Sequence, residues 1–330
     1  AAEQFSAEGL SDPFLIKDMR EAAEVINQAV EDFTPICIFG DYDCDGITSS
    51  AMLFSYLECM GANVEYIIPE RDEGYGLSEA AVKRMHDMGA ELIITVDNGI
   101  SAVSEAELIY SLGMRLIVTD HHQPGEELPR AEAVVDPHRK DCPSTFKHLC
   151  GAGVVLKLIA AAEGGSYDTA LNEYGELAAL ATVADVVPLT GENRFIVRYG
   201  LNLLGNSERP GINALIAKSG TKIPVTSTSA AFGLVPRINA SGRFGSPSTA
   251  ARLLLTDDSD EAELLADELD RLNTLRKEEE KKITEDIDRK MSEMPESAFE
   301  RVLVLSGDGW HHGIIGIVAA RMLERFDKPC

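Results

Sequence analysis

Three short, wholly apolar runs, ICIF (36–39), LIITV (92–96) and LIV (116–118), constrain this chain more than any other feature. Helix-length segments separate them, and within two residues each runs into acids: Asp41-Tyr42-Asp43-Cys44-Asp45-Gly46, Asp97-Asn98-Gly99 and Asp120-His121-His122. Runs this short and uniformly apolar read as strands buried on both faces, as in a parallel sheet. In open α/β sheets the ligand sits beyond the carboxyl ends of the strands. The chain therefore aims several acids and two imidazoles at one crevice. That many like charges share a small volume only when cations neutralise them. The residues point to a multi-metal hydrolytic site.

The spacing predicts helices over 18–33, 48–60, 77–88 and 101–112, alternating with strands at 35–40, 64–68, 91–97 and 115–119. A further extended piece, AVVD, ends at Asp136, and 151–187 reads as helical. This alternation predicts an α/β fold: a doubly wound parallel sheet with helices on both faces, a long connecting helix, and the start of a second, smaller α/β domain. The expected divisions are a catalytic domain (1–190), a helical and loop extension with a phosphate-binding loop (191–258), the connecting helix (259–292) and the beginning of a substrate-binding domain (300–330). In the connecting helix Leu265, Leu269, Leu272, Leu275, Ile283, Ile287 and Met291 recur at helical intervals. Acid-before-base pairs four apart, among them Asp267/Arg271, Glu278/Lys282 and Asp286/Lys290, support it by a few tenths of a kcal/mol each. Pro295 is expected to end it, and RVLVLS (301–306) reads as a new strand.

With 330 residues the chain can bury a full core, and no apolar run approaches the length of a membrane span. The start lacks the basic and apolar stretches of a secretory signal, and lacks Met, so the chain reads as a piece of something longer. Six cysteines without a CxxC pair suit free thiols in a reducing cytoplasm. His138, Cys142, His148 and Cys150 are zinc-ligand types, but their spacing matches no common paired pattern, which favours buried thiols and surface imidazoles. The net charge of −25 argues by itself against nonspecific nucleic-acid binding. Residues 257–300 hold 17 acids and 7 bases, however, as a solvated helix face would, so net charge does not decide the substrate.

The segment Asp41–Gly46 resembles the start of a calcium loop, but its twelfth position is Met52 rather than a bidentate Glu, and a strand precedes it. One of its acids could cap the next helix; three at alternate positions repel one another and call for metal. Asp97 could be a turn residue before Asn98-Gly99. Asp120 could cap a helix, or orient a histidine as ligating imidazoles require. Adjacent side chains on a loop diverge, so His121 and His122 can serve ligand and substrate separately. Asp185, in the apolar context LATVADVVPL, is either salt-bridged, for example to Arg194, or a further ligand.

In this order and at these intervals, DYDCDG, VDNG, TDHH and ATVADVVPL resemble the four signature motifs of the DHH phosphoesterase family. IPERDEGYGLS (68–78), VVDPHRKDCPSTFKHLCGAGV (134–154), PRINASGR (236–243) and GWHHGIIGIVAARMLERF (309–326) are similar to its single-strand-specific exonuclease branch, and the likeness runs through essentially the whole chain. The resemblance implies a two-metal phosphodiesterase that degrades single-stranded DNA 5′ to 3′ and releases 5′-mononucleotides in repair and recombination. It implies two divalent cations, Mn²⁺ or Mg²⁺, and as partners a 5′-phosphorylated strand end, a helicase and a single-strand-binding protein, with no membrane. Asp43 and Asp45 would each hold an ion, with Asp97 bridging; His121 and Asp185 would complete the ligand set of the second ion, and Asp41 would also ligate. His122 would contact the scissile phosphate, with Asp97 and Asp120 in the catalytic group. Arg71 and Tyr75 would grip the 5′ phosphate and stack on a base. Arg237, Asn239, Ser241 and Arg243 would form a phosphate-binding loop around Gly242, and His311, His312 and Gly313 would offer a helix start to an anion. The competing expectation is a small-substrate phosphoesterase acting on nano-oligonucleotides, cyclic dinucleotides or pyrophosphate.

Overall fold

The computed structural model describes residues 9–293 and 301–330. The apolar runs become strands: β1 (Ile36–Phe39), β2 (Val64–Ile67), β3 (Leu92–Val96), β4 (Arg115–Thr119) and β5 (Ala133–Val135). All pairings are parallel, in the order β2-β1-β3-β4-β5. Side chains alternate across a strand, so Ile36, Ile38, Ile94 and Ile117 enter one core while Phe39, Ile93, Leu116 and Val118 enter another. Helices α1 (Met19–Glu31) and α2 (Cys44–Cys59) cover the first face; α3 (Glu79–Asp87) and α4 (Val103–Ser111) cover the second. The sheet is doubly wound, and its strand order reverses between β1 and β3.

The first core continues through α5 (Gly151–Ala162), α6 (Asp168–Ala184), α7 (Gly191–Leu204) and α8 (Pro210–Ser219). A short α9 (Ser227–Ser229), a π-helical turn (Ala230–Leu234), α10 (Val235–Phe244) and α11 (Pro247–Leu255) come next. Helix α12 (Ser259–Glu293) puts Leu265, Leu269 and Leu272 into this core, then Ile283 and Ile287 into a small one shared with Leu303 and with α13 (His312–Phe326). Pro295 lies outside the described residues. Among the described residues no helix is long and apolar enough to cross a membrane.

Four local expectations are corrected. Helix α2 starts at Cys44, not 48, because the Asp43 carboxylate accepts the Asp45 and Gly46 N–H groups at 2.9 and 3.1 Å and caps it. PRINASGR is not a loop but most of α10: Pro236 sits in the first turn, where no helical hydrogen bond is lost. Gly242 is tolerated inside it because a Cβ there would stand 2.3 Å from the Tyr42 carbonyl oxygen. RVLVLS forms no strand among the described residues; its backbone pairing is a single bond from Leu303 N–H to the Pro329 carbonyl, and a ladder requires a neighbour. Along α12, Asp286 pairs with Lys290 at 2.9 Å as expected, but Lys218 of α8 takes Asp267 at 2.6 Å, and Arg271 and Lys282 turn to Glu268 and Glu279 three residues away.

Candidate metal centre

The reversal between β1 and β3 opens a crevice at the carboxyl ends of the strands. Asp41 lies just past β1, and Asp97, Asp120 and Asp136 directly follow β3, β4 and β5. Asp97 has φ +62°, a left-handed conformation that Asp tolerates better than most residues and that concentrates at functional sites. Asp45 is held from a distance: the N–H groups of Gly151 and Ala152, opening α5, donate to its two oxygens at 2.6 and 2.8 Å. That helix start favours an anion. Gly151 is required there, since a Cβ would come within 2.6 Å of Asp97 Cβ.

The motif acids converge on two centres. Asp41, Asp43 and Asp97 bring one oxygen each within 4.8 Å of one another, and Asp45, His121 and Asp185 do the same with one atom each. The two join where His121 Nε2 lies 3.0 Å from Asp97 Oδ1; Asp97, His121 and His122 make a third such group. His121 also stands 3.7 Å from Asp45 and 3.8 Å from Asp185, on opposite ring nitrogens. Despite the 3.0 Å approach, His121 Nε2 and Asp97 Oδ1 are not aligned as a hydrogen bond. Both atoms, and Asp41 Oδ1, are buried without a hydrogen-bond partner. Buried polar atoms are ordinarily satisfied; bare oxygen and imidazole lone pairs facing one another are what a divalent cation would satisfy.

The electrostatics agree. Burial and the charge of Asp43 push Asp41 up to about 7, and burial with Asp45 and Asp43 does the same to Asp185. Burial and four neighbouring carboxylates drive Asp97 well above the carboxylate range, and burial lowers His121. Without positive charge these groups resist the ionisation that ligation needs. Asp120 behaves oppositely. Burial opposes its ionisation, but hydrogen bonding to His122 and the N–H groups of Ile100 and His121 outweigh it and hold it low. Its Oδ1 accepts from His122 Nδ1, so Asp120 orients the outer histidine rather than the buried His121.

The substrate-side residues divide. Arg71 lies with its guanidinium 4.1 Å from the Tyr42 ring centroid and donates through Nε to the Gly242 carbonyl at 2.9 Å. Tyr75 is exposed, its hydroxyl 3.2 Å from His122 Nε2. Arg243 donates to the Gly313 carbonyl; His311 caps α13, its Nδ1 accepting from Gly313 N–H, and stacks between Phe244 and His312. Arg71, Arg243, His311, His312 and Gly313 thus meet in one place. Arg237 does not join them: it is buried against Asp270 at 2.7 Å and the Gly233 carbonyl. Ser241 donates inside α10 to the Ile238 carbonyl, and Asn239 accepts from Cys44 N–H, fixing the first acid motif to α10.

Two residues assigned no role belong to the site. Asp136 is fully buried, pushed up to about 7 by burial, with one oxygen unsatisfied. His138 donates from Nδ1 to the His121 carbonyl at 2.6 Å, steadying the third motif. The strand-end rule that singled out Asp97 and Asp120 also points to Asp136. Cys142 and Cys150 are buried free thiols, and among the described residues His138, Cys142, His148 and Cys150 contribute to no metal-compatible group.

The DHH family, N-terminal domain, matches residues 35–182. The chain is 42% identical over 321 residues to the single-stranded-DNA-specific exonuclease RecJ of Bacillus subtilis, covering 96% of this chain and 40% of that protein. The crystal structure of an exonuclease RecJ bound to manganese superposes with a TM-score of 0.85 at 36% identity, covering 95% of this chain and 79% of that one. RecJ in complex with Mn²⁺ from Thermus thermophilus gives 0.80 at 37% identity, covering 95% and 45%. The chain belongs to the DHH family, within its RecJ group. It spans about half the length of the curated relatives it matches.

Proposed function

We propose that the chain is the core of a metal-dependent exonuclease that degrades single-stranded DNA from a 5′ end and releases 5′-mononucleotides in repair and recombination. The observation that carries this reading is the pair of donor groups, Asp41/Asp43/Asp97 and Asp45/His121/Asp185, abutting through the 3.0 Å approach of Asp97 and His121. Each group would hold one divalent ion. Mostly oxygen donors with one imidazole suit Mn²⁺ or Mg²⁺. When bound, such ions activate water and neutralise charge on a phosphoryl group.

The remaining roles fall to the chain itself. Asp120 fixes the His122 ring and favours its cationic form, raised to about 9 chiefly by their hydrogen bond, so His122 can donate to a non-bridging phosphate oxygen. Arg71 and Arg243, beside the start of α13, supply cationic hydrogen-bond donors for a terminal phosphate, and Tyr75 an exposed ring for a base. Residues 1–190 form the catalytic unit on this reading, 191–258 its extension, 259–292 the connector, and 300–330 the beginning of a substrate-binding unit. A cytoplasmic setting, with a helicase supplying single strands and a single-strand-binding protein coating them, is the context it calls for.

The test is Mn²⁺-dependent release of mononucleotides from long 5′-phosphorylated single-stranded DNA by the full-length protein. Cleavage confined to dinucleotides or cyclic dinucleotides would replace this reading with the small-substrate one.

A further inference from the structure

Two of the most exposed apolar side chains in the described structure are neighbours, and irregular backbone presents both. Val186, 86% exposed, has φ +57°, a genuine outlier for a β-branched residue. Phe232, 80% exposed, rides on the π-helical turn Ala230–Leu234. Both departures are of kinds that persist mainly where function retains them. The two side chains wall a groove of about 240 Å³ with Val183, Leu189 and Ala231, while Ser227 and Thr228 add hydroxyls at its rim.

The groove adjoins the metal centre covalently and through packing. Val186 is the next residue after Asp185. Thr182, also in the groove wall, contacts the Cys150 thiol at 3.5 Å, and Cys150 immediately precedes the Gly151 and Ala152 N–H groups that hold Asp45. No charged side chain lines it. The space is below the roughly 300–1,000 Å³ of pockets that enclose a whole small ligand, but it suits the face of one planar ring. A wall without charged side chains offers a phosphodiester backbone no ionic partner. Uncharged bases are therefore the part of a strand it can best hold.

We propose that Phe232 and Val186 form a stacking platform for a nucleobase close to the scissile phosphate, with Ser227 and Thr228 at the base edge. This rests on the nuclease reading above. Stacking of this kind tolerates any base, because every base has a π-face.

The test uses the Mn²⁺-loaded full-length protein and a 5′-phosphorylated single-stranded oligonucleotide protected from cleavage by phosphorothioate linkages. 2-Aminopurine is placed at each of the first four positions in turn. At one position wild type should quench its fluorescence, and Phe232→Ala should restore it while weakening binding about tenfold. Phe232→Trp should bind as wild type does. Val186→Gly should weaken binding without lowering Tm, because glycine relieves the strained φ. An abasic nucleotide at the quenched position should cost wild type a similar factor and cost Phe232→Ala little. Wild-type affinity in both Phe232→Ala and Val186→Gly, or equal abasic penalties in wild type and Phe232→Ala, would overturn the platform. A wild-type protein that cleaves no unprotected strand would refute the nuclease reading instead.

Discussion

His122 donates from Nδ1 to Asp120 Oδ1 across 2.7 Å, joining a half-exposed imidazole to a carboxylate sealed from solvent. The bond, with burial opposing it, lifts His122 to about 9. The pair's stabilisation is fully present below the ordinary histidine value near 6.5 and fades as pH rises through about 9. If cationic His122 contacts phosphate, the upper limb of the kcat/KM profile tracks this titration. Asp120→Asn removes the charged acceptor, so that limb should move to lower pH; an unmoved limb would separate His122 from the chemistry.

Asp97 sits between both donor groups in a left-handed conformation that Asn also adopts. Asp97→Asn should cut turnover by roughly 10³-fold, the scale of losing one electrostatic element of a hydrolytic site. It should also raise the Tm of metal-free protein by about 2–4 °C, corresponding to about 1 kcal/mol of relieved repulsion. Wild type without metal should be more stable at pH 6 than at pH 8. Carboxyls whose folded pKa is raised, such as Asp41 and Asp185 at about 7, favour the folded state while protonated and penalise it once ionised. Calorimetry in chelator, then with Mn²⁺, reads both effects.

Gly151 leaves no room for a side chain beside Asp97. Gly151→Ala should cost about 1–3 kcal/mol of stability, as overpacking does, and weaken divalent-ion binding as well, because the shift disturbs the two N–H donors to Asp45. Thermal melts and isothermal titration with Mn²⁺ would show whether both losses appear together.

Arg71 is positioned by the Gly242 carbonyl and the Tyr42 ring. Arg71→Ala should lower the preference for a 5′-phosphorylated over a 5′-hydroxyl strand by about 10- to 100-fold, the worth of a charge-assisted hydrogen bond. The ratio of kcat/KM on the two substrates measures it, and an unchanged ratio would remove Arg71 from end recognition.

The sheet and most of the acids were legible because the signal is local: an apolar run specifies a buried strand, and the residues just past its carboxyl end lie at the crevice. Asp41, Asp97 and Asp120 were found this way. Asp136 obeys the same rule, but its strand is only three residues long, a weaker signal than the four- and five-residue strands before the other acids. Partners far apart in the chain left no trace. Nothing near Asp45 announces donors at Gly151 and Ala152, and nothing near Arg237 announces Asp270. Arginine, serine and asparagine around a glycine have the residue types of a phosphate loop; that Arg237 and Ser241 are satisfied within the protein depends on α10 being a helix packed on Tyr42.

Helix α12 gives the molecule a fixed calibre. Its 35 residues extend roughly 50 Å, and one end is anchored among leucines of the large core while the other carries the small core against α13. The contact between Arg243 and the Gly313 carbonyl in the first turn of α13 is therefore braced by a rod threaded through both cores rather than by a pliable tether. The register of the two cores follows from the leucine and isoleucine spacing of that one helix.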